Sequence, residues 1–115
     1  MAEDCLFCKI AAKEIPATVV AEGEDWLAFR DIHPQAPTHI LIIPRKHLPS
    51  LNEMEDGDRE RVGELFLAAK ELAEAEGIAD AGYRTVINTN AGAGQSVFHV
   101  HVHLLGGRAL RWPPG

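Results

Sequence analysis

His99-Val100-His101-Val102-His103-Leu104-Leu105 sets histidine beside an apolar residue three times in succession. A strand has a side-chain period of two. His99, His101 and His103 are therefore expected on one face of a strand, with Phe98, Val100, Val102 and Leu104 on the other. A helix would scatter the three rings around its axis. One face packs a core, and the other is a polar face carrying three imidazoles side by side. Like charges depress one another's pKa, so the three rings cannot all stay protonated. At neutral pH at least one is a free base, able to act as nucleophile, proton acceptor or metal ligand. A single histidine on a strand is usually structural, and His-x-His on a strand is also a zinc-ligand geometry. The motif alone leaves these alternatives open.

The surrounding chain has 115 residues, enough for one domain with one modest core. Apolar residues make up 46% and charged residues 24%, ordinary values for a water-soluble globule. The formal net charge of −6 disfavours a general nucleic-acid or anionic-membrane binder, which needs a basic patch. It leaves room for a single nucleotide in a local pocket. Met1-Ala2-Glu3-Asp4 is acidic and lacks a signal pattern. No apolar run approaches the ~20 residues of a membrane span. The expectation is a cytoplasmic protein.

Cys5-Leu6-Phe7-Cys8 reads as half a zinc site or a redox pair. A redox motif would follow a strand, whereas this pair opens the chain. A structural zinc needs about four ligands. The missing two would be histidines, and His47 and His99 are candidates. Two buried thiols without metal are the alternative. Phe7, Ile10 and Ala11 suggest a short helix ending near Glu14-Ile15-Pro16. Val19–Glu22 and Trp26–Arg30 read as a hairpin around Gly23-Glu24-Asp25, with Asp31 just past it. Pro34-Gln35-Ala36-Pro37 is a loop, because each proline removes a backbone donor.

His39-Ile40-Leu41-Ile42-Ile43-Pro44 is a central strand with a histidine at its start. Val62, Leu65, Phe66, Ala69, Leu72 and Ala73 form one apolar helical stripe. Asp56 or Asp58 can cap that helix, and Gly77 can take the left-handed position at its end. Tyr83–Asn88 is a fourth strand. The Gly-rich stretch from Asn88 to Ser96 has backbone N–H groups that suit an anion. The order α-β-β-β-α-β-β gives an α+β domain, an antiparallel sheet with helices on one face. Residues 1–107 form the core, and 108–115 an extended tail carrying Trp112.

The triad stretch matches the His-φ-His-φ-His-φ-φ pattern of the histidine triad (HIT) superfamily. Asp31-Ile32, Pro34-Gln35-Ala36-Pro37-Thr38-His39 and Ile43-Pro44-Arg45-Lys46-His47 resemble its nucleotide-binding (HINT) branch. So do Gly94-Gln95-Ser96-Val97-Phe98, Gly106-Gly107-Arg108 and Trp112-Pro113-Pro114-Gly115. The resemblance covers nearly the whole chain. It implies a five-stranded antiparallel sheet with two helices, and a homodimer whose sheets join into a continuous ten-stranded one. It implies a hydrolase that cleaves purine nucleoside 5′-phosphoramidates to the nucleoside monophosphate and an amine through a covalent nucleotidyl-histidine. His101 would be the nucleophile, with His103, His39 and Ser96 assisting. Asp31 would take the ribose hydroxyls, for which an acceptor-only carboxylate is suited. Leu6, Phe7, Ile10, Phe29 and Ile32 would wall the base, while Asn88, Gln95, Ser96 and His103 would surround the phosphate. Trp112 would reach the partner's site.

Cys5 and Cys8 depart from animal members of the branch and resemble zinc-binding prokaryotic-type relatives, which implies structural zinc on Cys5, Cys8, His47 and His99. Arg30 stands beside Asp31, where animal relatives often have histidine. Alternative readings are a dinucleotide polyphosphate hydrolase or nucleotidyl transferase of the same superfamily, a non-catalytic nucleotide-binding regulator, or a zinc hydrolase with metal-activated water at the triad. The last would leave the cysteine pair without a role. No organic cofactor, nucleic acid or membrane partner is expected.

Overall fold

The computed structural model describes residues 4–115 as α1 (Leu6–Ala11), β1 (Val19–Glu22), β2 (Trp26–Arg30), β3 (Thr38–Pro44), α2 (Arg59–Ala75), β4 (Tyr83–Val86) and β5 (Val102–Gly106). The acidic start read at Met1–Glu3 lies outside the described residues. The strands form one antiparallel sheet in the order β1-β2-β3-β5-β4. β3 is buried at every residue, as its β-branched run demands. Among the described residues no helix is long and apolar enough to cross a membrane.

The helices lie on opposite faces of this sheet, not on one as expected from element order. Strand alternation explains why. Ile40 and Ile42 of β3, Ala28 of β2, and Val102 and Leu104 of β5 share a cluster with Val62, Leu65, Ala69 and Ala73 of α2. Leu41 and Ile43 of β3, with Leu27 and Phe29 of β2, share a second cluster with Phe7 and Ile10 of α1. Both faces of β3 are apolar, so each needs a cover. The α2 stripe differs from expectation at Phe66, which is 42% exposed, while Ala68 takes a core position. The helix turns 100° per residue, and position 68 lies closer to the sheet than position 66.

Local stops are equally legible in the backbone. Cys5 caps α1, its Sγ accepting from the Cys8 amide at 3.4 Å. Lys13 adopts φ +64°, and α1 ends at Ala11 rather than near Glu14–Pro16. Gly77 takes φ +75° behind α2, as expected. Neither acidic candidate caps α2 with its side chain. Buried Asp58 instead accepts from Lys46 Nζ at 2.8 Å, Arg61 Nη1 at 2.6 Å and the Glu55 amide at 2.9 Å. Asp56 is exposed beside Arg59.

Two further expectations change. β5 begins at Val102 and β4 stops at Val86, so His99 and His101 precede the paired ladder. Val100, Val102 and Leu104 keep the predicted alternation into the α2-side core, but Phe98 leaves it at 48% exposed. Arg30 does not stand at the Asp31 site. It pairs bidentately with Glu76 at 2.8 and 3.0 Å, behind α2, because position 30 shares the parity of Ala28 and faces the other side. The histidine face is thus the α1 face. A six-residue helix covers only part of it.

Candidate active site and metal cluster

His101 and His103 project toward α1, and His39 of β3 reaches them across the sheet. Leu41 pairs directly with His103, and His39 lies two residues earlier on the same face. The ring centroids of His101 and His103 are 4.9 Å apart, and those of His39 and His103 5.2 Å. Phe7 of α1 stands edge-on to His101 at 5.0 Å. His99 and His101 are buried rather than displayed on a polar face, since α1 closes over them.

Backbone groups assign the proton on His101 and His39, and His39 then assigns it on His103. His101 Nδ1 lies 2.7 Å from the His99 carbonyl, which can only accept. Nδ1 therefore carries the proton, and Nε2 presents a bare lone pair. The Gln35 amide donates to His39 Nδ1 at 3.0 Å, so His39 holds its proton on Nε2. That N–H points at His103 Nδ1, 2.9 Å away. His103 then keeps its own proton on Nε2. This nitrogen is the buried side-chain polar atom without a partner among the described residues. Two adjacent imidazoles thus have opposite tautomers, one ending in a lone pair and the other in an unspent donor.

Burial pushes all of these rings toward the neutral form. His103 drops to about 4, first from desolvation and then from the neighbouring charges of His101 and His39. His101 and His39 are also lowered by burial, which Asp31 partly opposes. Asp31 Oδ1 accepts from the His33 amide at 2.8 Å, and its Oδ2 lies 3.4 Å from His39 Nε2. Asp31, His39 and His103 bring three potential metal ligands together. The Gln35 amide argues against that use. A metal on His39 Nε2 would force the proton to Nδ1, where it would face another donor.

A second cluster lies on the far side of His99. Cys5, Cys8, His47 and His99 hold their ligand atoms within 4.8 Å of one another and could hold a metal ion. Cys5 Sγ is 3.4 Å and Cys8 Sγ 3.5 Å from His99 Nδ1, and Cys8 Sγ is 3.3 Å from His47 Nδ1. The two Nδ1 atoms are 3.3 Å apart. His99 Nε2 donates to the Pro44 carbonyl at 2.8 Å, leaving its Nδ1 bare for the cluster. Burial, with Cys5 beside it, pushes the Cys8 thiol up to about 11. A thiol so placed ionises only if a cation offsets the charge.

Other expected site residues divide. Phe7, Ile10 and Phe29 pack together in the α1-side core. Leu6 and Ile32 face outward, at 45% and 85% exposed. Asn88 is half-buried just beyond β4, and Ser96 is exposed in the following loop. The Gln95 side chain is not brought to the site. Its Oε1 accepts from the Asn90 amide at 2.7 Å, and its Nε2 donates to the Pro49 and Val97 carbonyls at 2.7 and 3.2 Å. Trp112 lies outside the chain's own site, 81% exposed, with Arg84 6.0 Å above its ring. The groups missed were backbone ones: the Gln35 amide and the Pro44 carbonyl. Only the first had a signal, because Pro34 and Pro37 leave two amides in that loop.

The HIT domain profile matches residues 12–110. An uncharacterised HIT-like protein from Synechocystis is 52% identical over the whole of both chains. The crystal structure of a HIT family hydrolase from Legionella pneumophila is 59% identical, covers 96% of this chain and 99% of its own, and superposes with a TM-score of 0.95. A histidine triad nucleotide-binding protein from Candida albicans is 32% identical, with 95% of this chain and 82% of that one covered and a TM-score of 0.80. The chain belongs to the HIT family.

The buried neutral rings set a pH dependence. His103 falls to about 4 in the fold, from the ordinary histidine value of 6.5. Between those values the unfolded chain takes up protons that the folded one refuses, so stability is full above about pH 6.5 and drains away toward pH 4. Denaturant midpoints at pH 7.5, 5.5 and 4.5 should fall in that order. A flat profile over this window would contradict the assignment.

Proposed function

We propose that the protein is a purine nucleoside phosphoramidase of the HINT type, working through a covalent nucleotidyl-histidine. The observation that carries this reading is the opposed pair of tautomers. The bare Nε2 of His101 attacks phosphorus, and the P–N bond to the amine breaks. The unspent N–H of His103 meets a phosphoryl oxygen, a donor placed in advance where charge accumulates. Leaving a buried N–H against another donor costs about 1–3 kcal/mol, which would hold the wrong tautomer of either ring to a small minority. Ser96 hydrogen-bonds the departing nitrogen, which takes a proton from solvent as it leaves, while the His39 Nε2–H donated to His103 Nδ1 keeps the Nε2–H of His103 on the phosphoryl oxygen. Water then releases the nucleotide from His101. Asp31 takes the ribose hydroxyls, Asn88 a phosphate oxygen, and Phe7, Ile10, Phe29 and Ile32 the base side. A nucleotide-binding relative and a hydrolase relative support the class of ligand and reaction.

The Cys/His cluster serves as a structural zinc site in this reading. A tetrahedral zinc with Zn–N near 2.05 Å and Zn–S near 2.3 Å separates its ligands by about 3.3 Å for N···N and about 3.6 Å for N···S. The observed separations of 3.3 Å and 3.3–3.5 Å match that shape. The chain also acts as a homodimer. β4 is an edge of the sheet, and Tyr83 on β4 and Phe66 and Leu67 on α2 remain exposed. A second copy pairing along β4 would extend the sheet, and Trp112 would then have a partner's site to reach.

Three measurements test these statements. His101→Ala should lower turnover of an adenosine phosphoramidate by roughly a thousandfold or more while leaving nucleoside monophosphate affinity within about threefold. Retention of turnover within tenfold would refute the covalent route. Elemental analysis of protein purified without added metal should find about one zinc per chain, and Cys8→Ala should abolish it. Zinc well below half an equivalent in the native protein would count against the site. Light scattering should report twice the chain mass; a monomer at micromolar concentration would remove the shared-site role of Trp112.

A further inference from the structure

Glu76 is the residue that ends α2. A negative side chain at a helix C-terminus opposes the helix dipole, so α2 itself gives no reason for it. Its partners lie on the sheet. Arg30, the last residue of β2, donates to Oε1 from Nη1 at 2.8 Å and to Oε2 from Nη2 at 3.0 Å. Buried Thr38, the first residue of β3, donates to Oε1 from its hydroxyl at 3.3 Å. Hydrogen bonds from Arg30, outweighing burial, hold the Glu76 carboxyl below its usual range, so it accepts as a carboxylate at neutral pH. One carboxylate thus grips the end of one strand and the start of the next. An ion pair this accessible adds little stability, but a bidentate contact fixes direction as well as distance.

The residues next in sequence belong to the site. Successive side chains of a strand face opposite ways, so holding positions 30 and 38 from the α2 side sets 31 and 39 on the histidine side. The Asp31 amide donates to the His39 carbonyl at 3.0 Å, and Asp31 Oδ2 lies 3.4 Å from His39 Nε2. Beyond that bond the chain leaves the sheet for the loop that holds Pro34 and Pro37. The Gln35 amide of this loop must meet His39 Nδ1, 3.0 Å away, for His39 to keep its proton on Nε2. We infer that Glu76 is a positioning residue: from the far face of the sheet it fixes Asp31 for the ribose and His39 for the relay that sets the His103 tautomer. The ribose half rests on the phosphoramidase reading; the tautomer half rests on the fold alone. The mechanical path is short, since one peptide bond joins Arg30 to Asp31 and one joins Thr38 to His39. Without the carboxylate, the ends of β2 and β3 loosen where the loop joins them. Asp31 then loses its set distance from His39, and the Gln35 amide loses its aim at Nδ1. His101 stands outside this path, because the His99 carbonyl sets its proton.

The test measures adenosine monophosphate affinity and histidine nitrogen NMR spectra in the native protein, Glu76→Ala, Glu76→Gln, Thr38→Val and Val62→Ala. Val62 packs near the opposite end of α2, so Val62→Ala loosens the helix without touching the grip. Glu76→Ala should weaken nucleotide binding by about tenfold or more. Its spectra should show His39 and His103 each in both neutral tautomers, while His101 keeps its proton on Nδ1. Glu76→Gln still offers an oxygen to Arg30 and Thr38. It should bind within about threefold of native, with one tautomer on each ring. Thr38→Val removes one arm of the grip and should give the same mixture on His39 with a smaller loss of affinity. Val62→Ala should match the native protein in both readouts. Native-like affinity and tautomers in Glu76→Ala, or in Thr38→Val should Glu76→Ala not fold, overturn the inference, as does an equal change in Val62→Ala. A native protein that binds no nucleotide overturns the phosphoramidase reading, and the tautomer comparison still decides the role of Glu76.

Discussion

His99 joins the two clusters, and the arrangement of the site depends on its three bonds. Its Nε2–H is spent on the Pro44 carbonyl at 2.8 Å, anchoring it to the end of β3. Its Nδ1 enters the Cys/His cluster. Its carbonyl accepts from His101 Nδ1 at 2.7 Å and so fixes which nitrogen of the next histidine is bare. A ring held at one end and a carbonyl held at the other make one residue the hinge between a metal-ligand set and a nucleophile. Phe7, on the helix between the two cysteines, touches both rings and adds a second mechanical link.

The sheet supplies the frame for this hinge. β3 is apolar on both faces, so both must be covered, and the two helices divide the work unequally. The long α2 with its continuous stripe closes one face. The short α1 closes only part of the other, where His39 and His103 lie with a fully buried core behind them. Burial then keeps the imidazoles neutral, and neutrality is what allows one ring to be a nucleophile while its neighbour is a donor. The opposite parity of Arg30 and Asp31 shows the same division. One residue ties down α2, and the next faces the histidines.

Much of this was legible in the residues. Period-two alternation in His99–Leu105 and the β-branched run in β3 located both strands, because burial on a pleated surface leaves a direct mark on composition. The spacing of Cys5 and Cys8 with two spare histidines marked the second cluster, and the structure brings all four together. What the sequence did not carry was which face each helix takes. β3 is apolar at both parities, so either assignment satisfies its pattern. It also hid the roles of Phe66, Phe98 and Gln95. Phe66 and Phe98 look like core but face outward. Gln95 looks like a ligand-binding amide but spends its hydrogen bonds holding its own loop. The Pro44 carbonyl that orients His99 leaves no trace in side-chain identity.

The central claim is that the His99 carbonyl sets the tautomer of His101, and the Gln35 amide, acting through His39, sets the opposite one on His103. Nitrogen NMR of the histidine-labelled protein at pH 7.5 reads this directly. The account predicts that His101 carries its proton on Nδ1 with Nε2 bare, and that His39 and His103 carry theirs on Nε2. A His101 protonated on Nε2, or a His103 protonated on Nδ1, would contradict it.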